Sequence, residues 1–138
     1  MRILFTLMML TVGLISCQPQ KSANPQTDTV MKPEKNDDGE WDIEVLDTQY
    51  SYFLNAVAKP MNMYTESYLK NRNQILVNEW NALFLSGRYP NIVESTVDYD
   101  YNENYGLKFE YKLYQVFAFV SWKYGLRLNG LSGADAYR

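Results

Sequence analysis

Apolar positions recur along this chain with several different periods, and those periods mark out its elements. Residues 3–14 are an almost unbroken apolar run. Trp41, Ile43 and Val45 then alternate with Asp42 and Glu44, which predicts a half-buried strand. Thr48 is placed to cap a short helix carrying Tyr52, Phe53, Ala56 and Val57 on one side, with Pro60 as its stop. The clearest helix covers residues 66–86: Thr65 or Ser67 can start it and Gly87 can end it. Val93, Ser95, Val97 and Tyr99 alternate within a β-branched stretch, predicting a second strand over residues 92–101. Residues 107–124 read as a buried helix stopped by Gly125, although residues 107–113 alternate strictly and a strand there is the rival reading. Residues 126–128 suggest a last short strand. There are no internal repeats. The expected architecture is α+β, a small sheet with two to three helices packed on one face.

The first apolar run has a different meaning. Met1-Arg2 supplies a positive start, and the run leads into Leu14-Ile15-Ser16-Cys17. An apolar segment ending at a small residue is the pattern of a secretory signal peptide. With Cys directly after that residue, it resembles the lipobox of bacterial lipoproteins. The resemblance implies cleavage before Cys17, a diacylglyceryl group on its thiol and an acylated new N-terminus. The alternative, an uncleaved span, needs about 20 apolar residues, and this run is shorter. Two or three acyl chains on one residue hold a protein stably on a membrane, where a single chain binds marginally.

In such lipoproteins an Asp after the Cys favours the inner membrane. Here Gln18 follows, so the outer membrane is expected. Gln18-Pro19-Gln20-Lys21-Ser22 has no acidic residue, which favours the periplasmic face over the cell surface. Residues 17–39 are polar apart from Val30-Met31 and read as the lipidated Cys and a flexible linker. Within them, residues 35–39 read as a solvated turn. Residues 40–138 are then a single globular domain near the usual domain size, after a signal peptide of residues 1–16.

Composition narrows the chemistry. The 138 residues include no His and one Cys. That removes Ser-His-Asp and Cys-His nucleophile systems, His-ligated zinc, internal disulfides and Cys-rich clusters. The formal charge of −3 gives no basic stripe for a phosphate backbone, so nucleic acid is not an expected partner. No cofactor or metal is implied. Asp98, Asp100 and Asn102 have the spacing that opens a calcium loop, but Glu103 and Phe109 stand where its Gly and chelating Glu belong. Glu79, Glu94, Asp98, Asp100 and Glu110 are the carboxylates from which an acid–base pair would have to be drawn. So small a domain leaves little room for a substrate cleft, and catalysis is not expected.

Wound as a helix, residues 66–86 place Tyr68, Leu69, Ile75, Leu76, Val77, Trp80, Leu83 and Phe84 on one broad arc. Arg72 and Glu79 fall within it. Seven residues separate them by about 10 Å along the axis, too far for a direct pair. Each therefore needs another partner, either in a buried polar network or in a ligand. Arg72, Glu79, Trp80 and Asn81 are the candidate residues. Tyr89, Tyr99, Tyr101, Tyr105, Tyr111, Tyr114, Trp122 and Tyr124 crowd the C-terminal half. They either fill the core or present rings to a sugar or a protein.

Several segments together resemble a domain-of-unknown-function family of small Bacteroidota lipoproteins. They are residues 41–47, Ala58-Lys59-Pro60, Tyr64, residues 68–73, Val77-Asn78-Glu79-Trp80-Asn81, Arg88-Tyr89, Tyr105-Gly106 and Tyr111-Lys112-Leu113-Tyr114. Glu79-Trp80-Asn81 and residues 111–114 are the most specific of these. The chain departs from the pattern at Lys59, where Arg is usual, and at Met61 and Ile75, where aromatics are favoured. The resemblance implies an exported lipoprotein and carries no catalytic residues. The expected function is a non-enzymatic binding module at the outer membrane, its partner a protein or an envelope polymer. One alternative is a carbohydrate-binding or minor hydrolytic accessory module. Another is a purely structural assembly component, which exposed Phe117 and Phe119 would favour.

Overall fold

Thr65, Gly87, Gly106 and Gly125 stand where the two long helices begin and end. The structure, a computed structural model, describes residues 30–132. The expected signal peptide, Cys17 and the tether up to residue 29 lie outside the described residues. In chain order the elements begin with β1 (Val30–Met31), β2 (Glu34–Lys35) and β3 (Trp41–Asp42). Helix α1 (Tyr50–Tyr52) continues as a π-helical turn over Phe53–Val57, and a 3₁₀ turn follows at Met61–Met63. Then come α2 (Glu66–Leu85), β4 (Thr96–Val97) and α3 (Leu107–Tyr124).

The strand alternative for residues 107–113 does not occur. Helix α3 is buried on nearly every side, with residues 113–120 all inaccessible, so an alternating stretch at its start carries no strand information. Gly125 ends the helix in the left-handed conformation (φ 69°), its N–H donating to the Ser121 carbonyl at 2.9 Å. Helix α2 starts at Thr65, whose side-chain oxygen accepts from the Tyr68 N–H at 3.3 Å. It lies against α3 through Leu69, Asn73, Leu76, Val77 and Trp80. That stripe is narrower than the arc expected from sequence and is rotated by about an eighth of a turn from it. Ile75, expected inside, is 49% exposed, and Arg72 and Glu79 lie on the rim as half-buried residues.

Ile43, Phe53, Ala58, Leu126 and Leu128 complete the core around the helix pair. Leu126 and Leu128 are buried without forming the expected last strand. At Gly130 the chain passes so close to α2 that a Cβ there would sit 2.6 Å from Leu76 Cγ.

The α+β class holds, and the strands are two separate pairs. β1 pairs in parallel with β4, Val30 opposite Thr96, and β2 pairs antiparallel with β3. The expected strands shrink to two residues each, because only Trp41–Asp42 and Thr96–Val97 find partners. Within the stretch expected as a tether, Val30–Met31 pair with β4 and Glu34–Lys35 with β3. The turn between β2 and β3 is closed by Asn36, whose Oδ1 accepts from the N–H groups of Asp38 and Glu40 at 3.0 Å each. Lys108, Lys112 and Lys123 of α3 form ion pairs with Glu40, Asp42 and Asp47, fastening this N-terminal segment along the central helix.

Candidate functional site

Trp80 and Asn81 sit at adjacent positions near the end of α2, facing the chain that returns as β4. Trp80 is 3% exposed, packs edge-on against Phe117 and donates its indole N–H to the Ser95 carbonyl at 2.7 Å. Asn81 takes both backbone groups of Val97: its Oδ1 accepts from the Val97 N–H at 2.8 Å and its Nδ2 donates to the carbonyl at 2.9 Å. Strand alternation turns those two groups away from β1, to which the neighbouring Asp98 N–H donates through Met31. The Asn81 amide therefore serves β4 as a second strand would.

Glu79 and Arg72 find separate partners, as their spacing requires. The Glu79 carboxylate accepts from the Asn129 N–H (2.8 and 3.0 Å), from Asn129 Nδ2 (2.9 Å) and from the Gly130 N–H (3.3 Å). It holds the C-terminal turn against α2. The Arg72 guanidinium lies over the Tyr68 ring, 5.3 Å from its centroid. The four candidates do not converge on one site: three of them spend polar groups on the chain's own backbone.

The polar centre of the molecule lies elsewhere, where Glu110, one of the five carboxylates considered for an acid–base pair, meets Tyr99 from the aromatic group and Asn73, which was not a candidate. Asn73 and Glu110 are both fully buried. Asn73 Nδ2 donates to the Glu110 carbonyl at 2.8 Å and to its Oε2 at 2.7 Å. The Tyr99 hydroxyl donates to both carboxylate oxygens at 3.0 Å. This cluster joins α2, α3 and the loop after β4. Burial pushes the Glu110 carboxyl above the usual carboxylate range, against the lowering effect of the Asn73 and Tyr99 bonds and of Lys70. Burial also raises the Tyr99 hydroxyl, and the adjacent Glu110 carboxylate adds to that, so Tyr99 keeps its proton.

Gln115, also fully buried, has neither amide atom hydrogen-bonded among the described residues. The sequence signal for Asn73 is its place four residues after Leu69 and three before Leu76 on the helix stripe.

The crowded aromatics divide. Tyr114 is buried and Tyr99, Tyr105 and Tyr111 half-buried, while Tyr89, Tyr101, Trp122 and Tyr124 are exposed. Tyr99, Tyr105 and Phe109 form a continuous stack with centroids 5.2 and 4.5 Å apart. Phe117 and Phe119 are 1% and 3% exposed, so the exposed pair that would favour an assembly role is not there. Tyr52, 62% exposed, pairs at the surface with Trp122, their centroids 6.4 Å apart. A separate hollow of about 340 Å³ is lined by Trp41, Leu54, Met61 and Tyr111, with Lys108 and Lys112 beside it.

Asp100 closes a turn by accepting from the Asn102 N–H at 2.8 Å. Among the described residues no helix is long and apolar enough to cross a membrane. In comparisons with known proteins, the model of a family of unknown function (DUF6146) matches residues 3–136. Neither a curated protein nor a solved structure matches the chain.

Proposed function

We propose that the chain, which belongs to the DUF6146 family of unknown function, is an envelope lipoprotein whose folded part is a non-enzymatic interaction module. The observation that carries the anchoring half is positional: the only Cys stands directly after Leu14-Ile15-Ser16, at the end of an apolar run. A diacylglyceryl Cys17 then holds the module at the outer membrane, facing the periplasm. This is the arrangement expected of a Bacteroidota lipoprotein.

The interaction half rests on what the fold leaves at its surface. Glu79, Trp80 and Asn81 use polar groups to close the fold. Tyr52, Trp122 and Tyr124 keep rings open to solvent beside the Lys123–Asp47 ion pair. Rigid rings of this kind give a protein or an envelope polymer contact area at little entropic cost. The Tyr52–Trp122 pair also favours the second reading, a carbohydrate-binding module, because exposed rings can stack on sugar faces.

A Cys17→Ser variant tests the anchor: it should leave the membrane fraction for the soluble one, and persistence in membranes refutes it. A Tyr52→Ala/Trp122→Ala variant tests the surface in envelope extracts. It should lose captured protein or glycan; Tyr52→Ala alone, which leaves Trp122 packed on Phe53 and Phe119, should lose part of that capture while keeping the wild-type melting profile. Unchanged capture removes the surface from the proposal.

A further inference from the structure

We propose that Glu110 is a proton-operated latch on the 98–106 loop, holding it to α2 and α3 while protonated and loosening it on ionisation. The loop leaves β4 and returns as α3, and Glu110 meets it one turn into that helix. Tyr99 reaches in to the carboxyl group at 3.0 Å, and the stack of Tyr99, Tyr105 and Phe109 closes over it. Further out, the Tyr101 hydroxyl donates to Asn71 Oδ1 at 2.9 Å and Lys70 Nζ to the Glu103 carbonyl at 3.0 Å. These outer ties are exposed, so the inner tie decides how firmly the loop is held.

The groups around the carboxyl are almost all neutral. From the loop it faces the Tyr99 hydroxyl, and from α2 the Asn73 amide. The charges acting on it come from α2, where Lys70 attracts a negative charge and Glu66 repels it. Lys70 is already bound to the Glu103 carbonyl. In the protonated form the Tyr99 bond reverses, Oε1–H donating to Oη, while Asn73 Nδ2 still donates to Oε2, so no heavy atom has to move. On ionisation the proton leaves for solvent, and a fully buried charge is left with two neutral donors. Opening the loop admits water to that charge.

The closed form therefore binds the proton more tightly than the open form. Closure is strongest below the ordinary glutamate value of about 4.3 and weakens as pH rises through the closed-state value, levelling off above it. The opening constant grows about tenfold for each unit separating the two values.

Hydrogen exchange on the full chain in detergent micelles between pH 4 and pH 8 tests the latch. Protection factors are corrected for intrinsic exchange and read at the Asp100 and Glu103 amides. Wild type should lose protection as pH rises, by about tenfold per unit of the shift. Glu110→Gln should stay flat at the acid level. A flat wild type, or an equal fall in Glu110→Gln, overturns the proposal. If Glu110→Gln does not fold, a carbon-13 titration of the wild-type Glu110 carboxyl decides. Its midpoint should lie above about 4.3 and coincide with the loss of protection; a midpoint at or below that value overturns the latch.

Discussion

Replacing Asn81 with Ala should destabilise the domain far more than a half-buried polar residue on a helix suggests. Two hydrogen bonds to Val97, of 2.8 and 2.9 Å, are lost, each contributing about 1 kcal/mol net. Val97 itself is 3% exposed, so its N–H and carbonyl are left without replacements at a penalty of about 1–3 kcal/mol for a buried group. Ala returns roughly 0.5 kcal/mol through its better helix propensity. The net loss is about 2.5–4.5 kcal/mol, or roughly 10–35 °C in melting temperature for a domain of this size. Urea denaturation with linear extrapolation measures it, with Asn78→Ala as the control. Asn78 is exposed on the same helix, and its replacement should stay within about 0.5 kcal/mol of wild type. If the two variants lose the same small amount, Asn81 is not acting as a strand partner for β4, and its role must lie outside the fold.

Other substitutions probe the packing and the buried polar groups. Gly130→Ala drives a methyl group into Leu76 and should cost about 1–3 kcal/mol. A double-mutant cycle with Leu76→Ala should show part of that loss relieved, and strict additivity would contradict the close approach. Gln115→Met keeps the volume and removes two buried amide atoms that are unpaired among the described residues. Calorimetry should show it more stable by about 1–2 kcal/mol, and a loss would mean that the amide is satisfied in solution. The raised Glu110 carboxyl means that the folded chain holds a proton which the unfolded chain has released between about pH 4.3 and the folded value. Stability should therefore fall as pH rises through that window, and Glu110→Gln should abolish the slope. Asp42 and Asp47 work in the opposite sense. Burial opposes the lowering of Asp42, but Lys112, the Ile43 N–H and Lys108 together outweigh it, and Lys123 lowers Asp47. Their contribution should disappear as pH falls below the ordinary carboxylate range.

The long helices were legible because their boundaries are local. Thr65 caps within four residues, and Gly125 supplies a left-handed stop that needs no distant partner. The strands were legible only as positions. Thr96–Val97 becomes β4 by pairing with Val30–Met31 and by borrowing the Asn81 amide, and neither partner is adjacent in the chain. Composition gives no sign of the pairing that Val30–Met31 and Glu34–Lys35 make within the stretch it reads as a tether. On α2, counting Ile75 as core rotated the expected stripe towards Arg72 and Glu79. The stripe that packs on α3 carries Asn73 instead. Asn73 matters through Glu110, 37 positions away, a pairing that the hydrophobic pattern of neither helix encodes. Glu79 stands out in the sequence as a charge within the apolar arc of α2, with Trp80 and Asn81 beside it. Their partners at residues 95, 97 and 129–130 are what make them structural.

The most direct measurement is the intact mass of the mature chain extracted from membranes, with fragmentation at its N-terminus. A chain beginning at Cys17 and carrying a diacylglyceryl group is the expected result. A chain that retains residues 1–16, or begins at an unmodified Cys17, would contradict the lipoprotein reading.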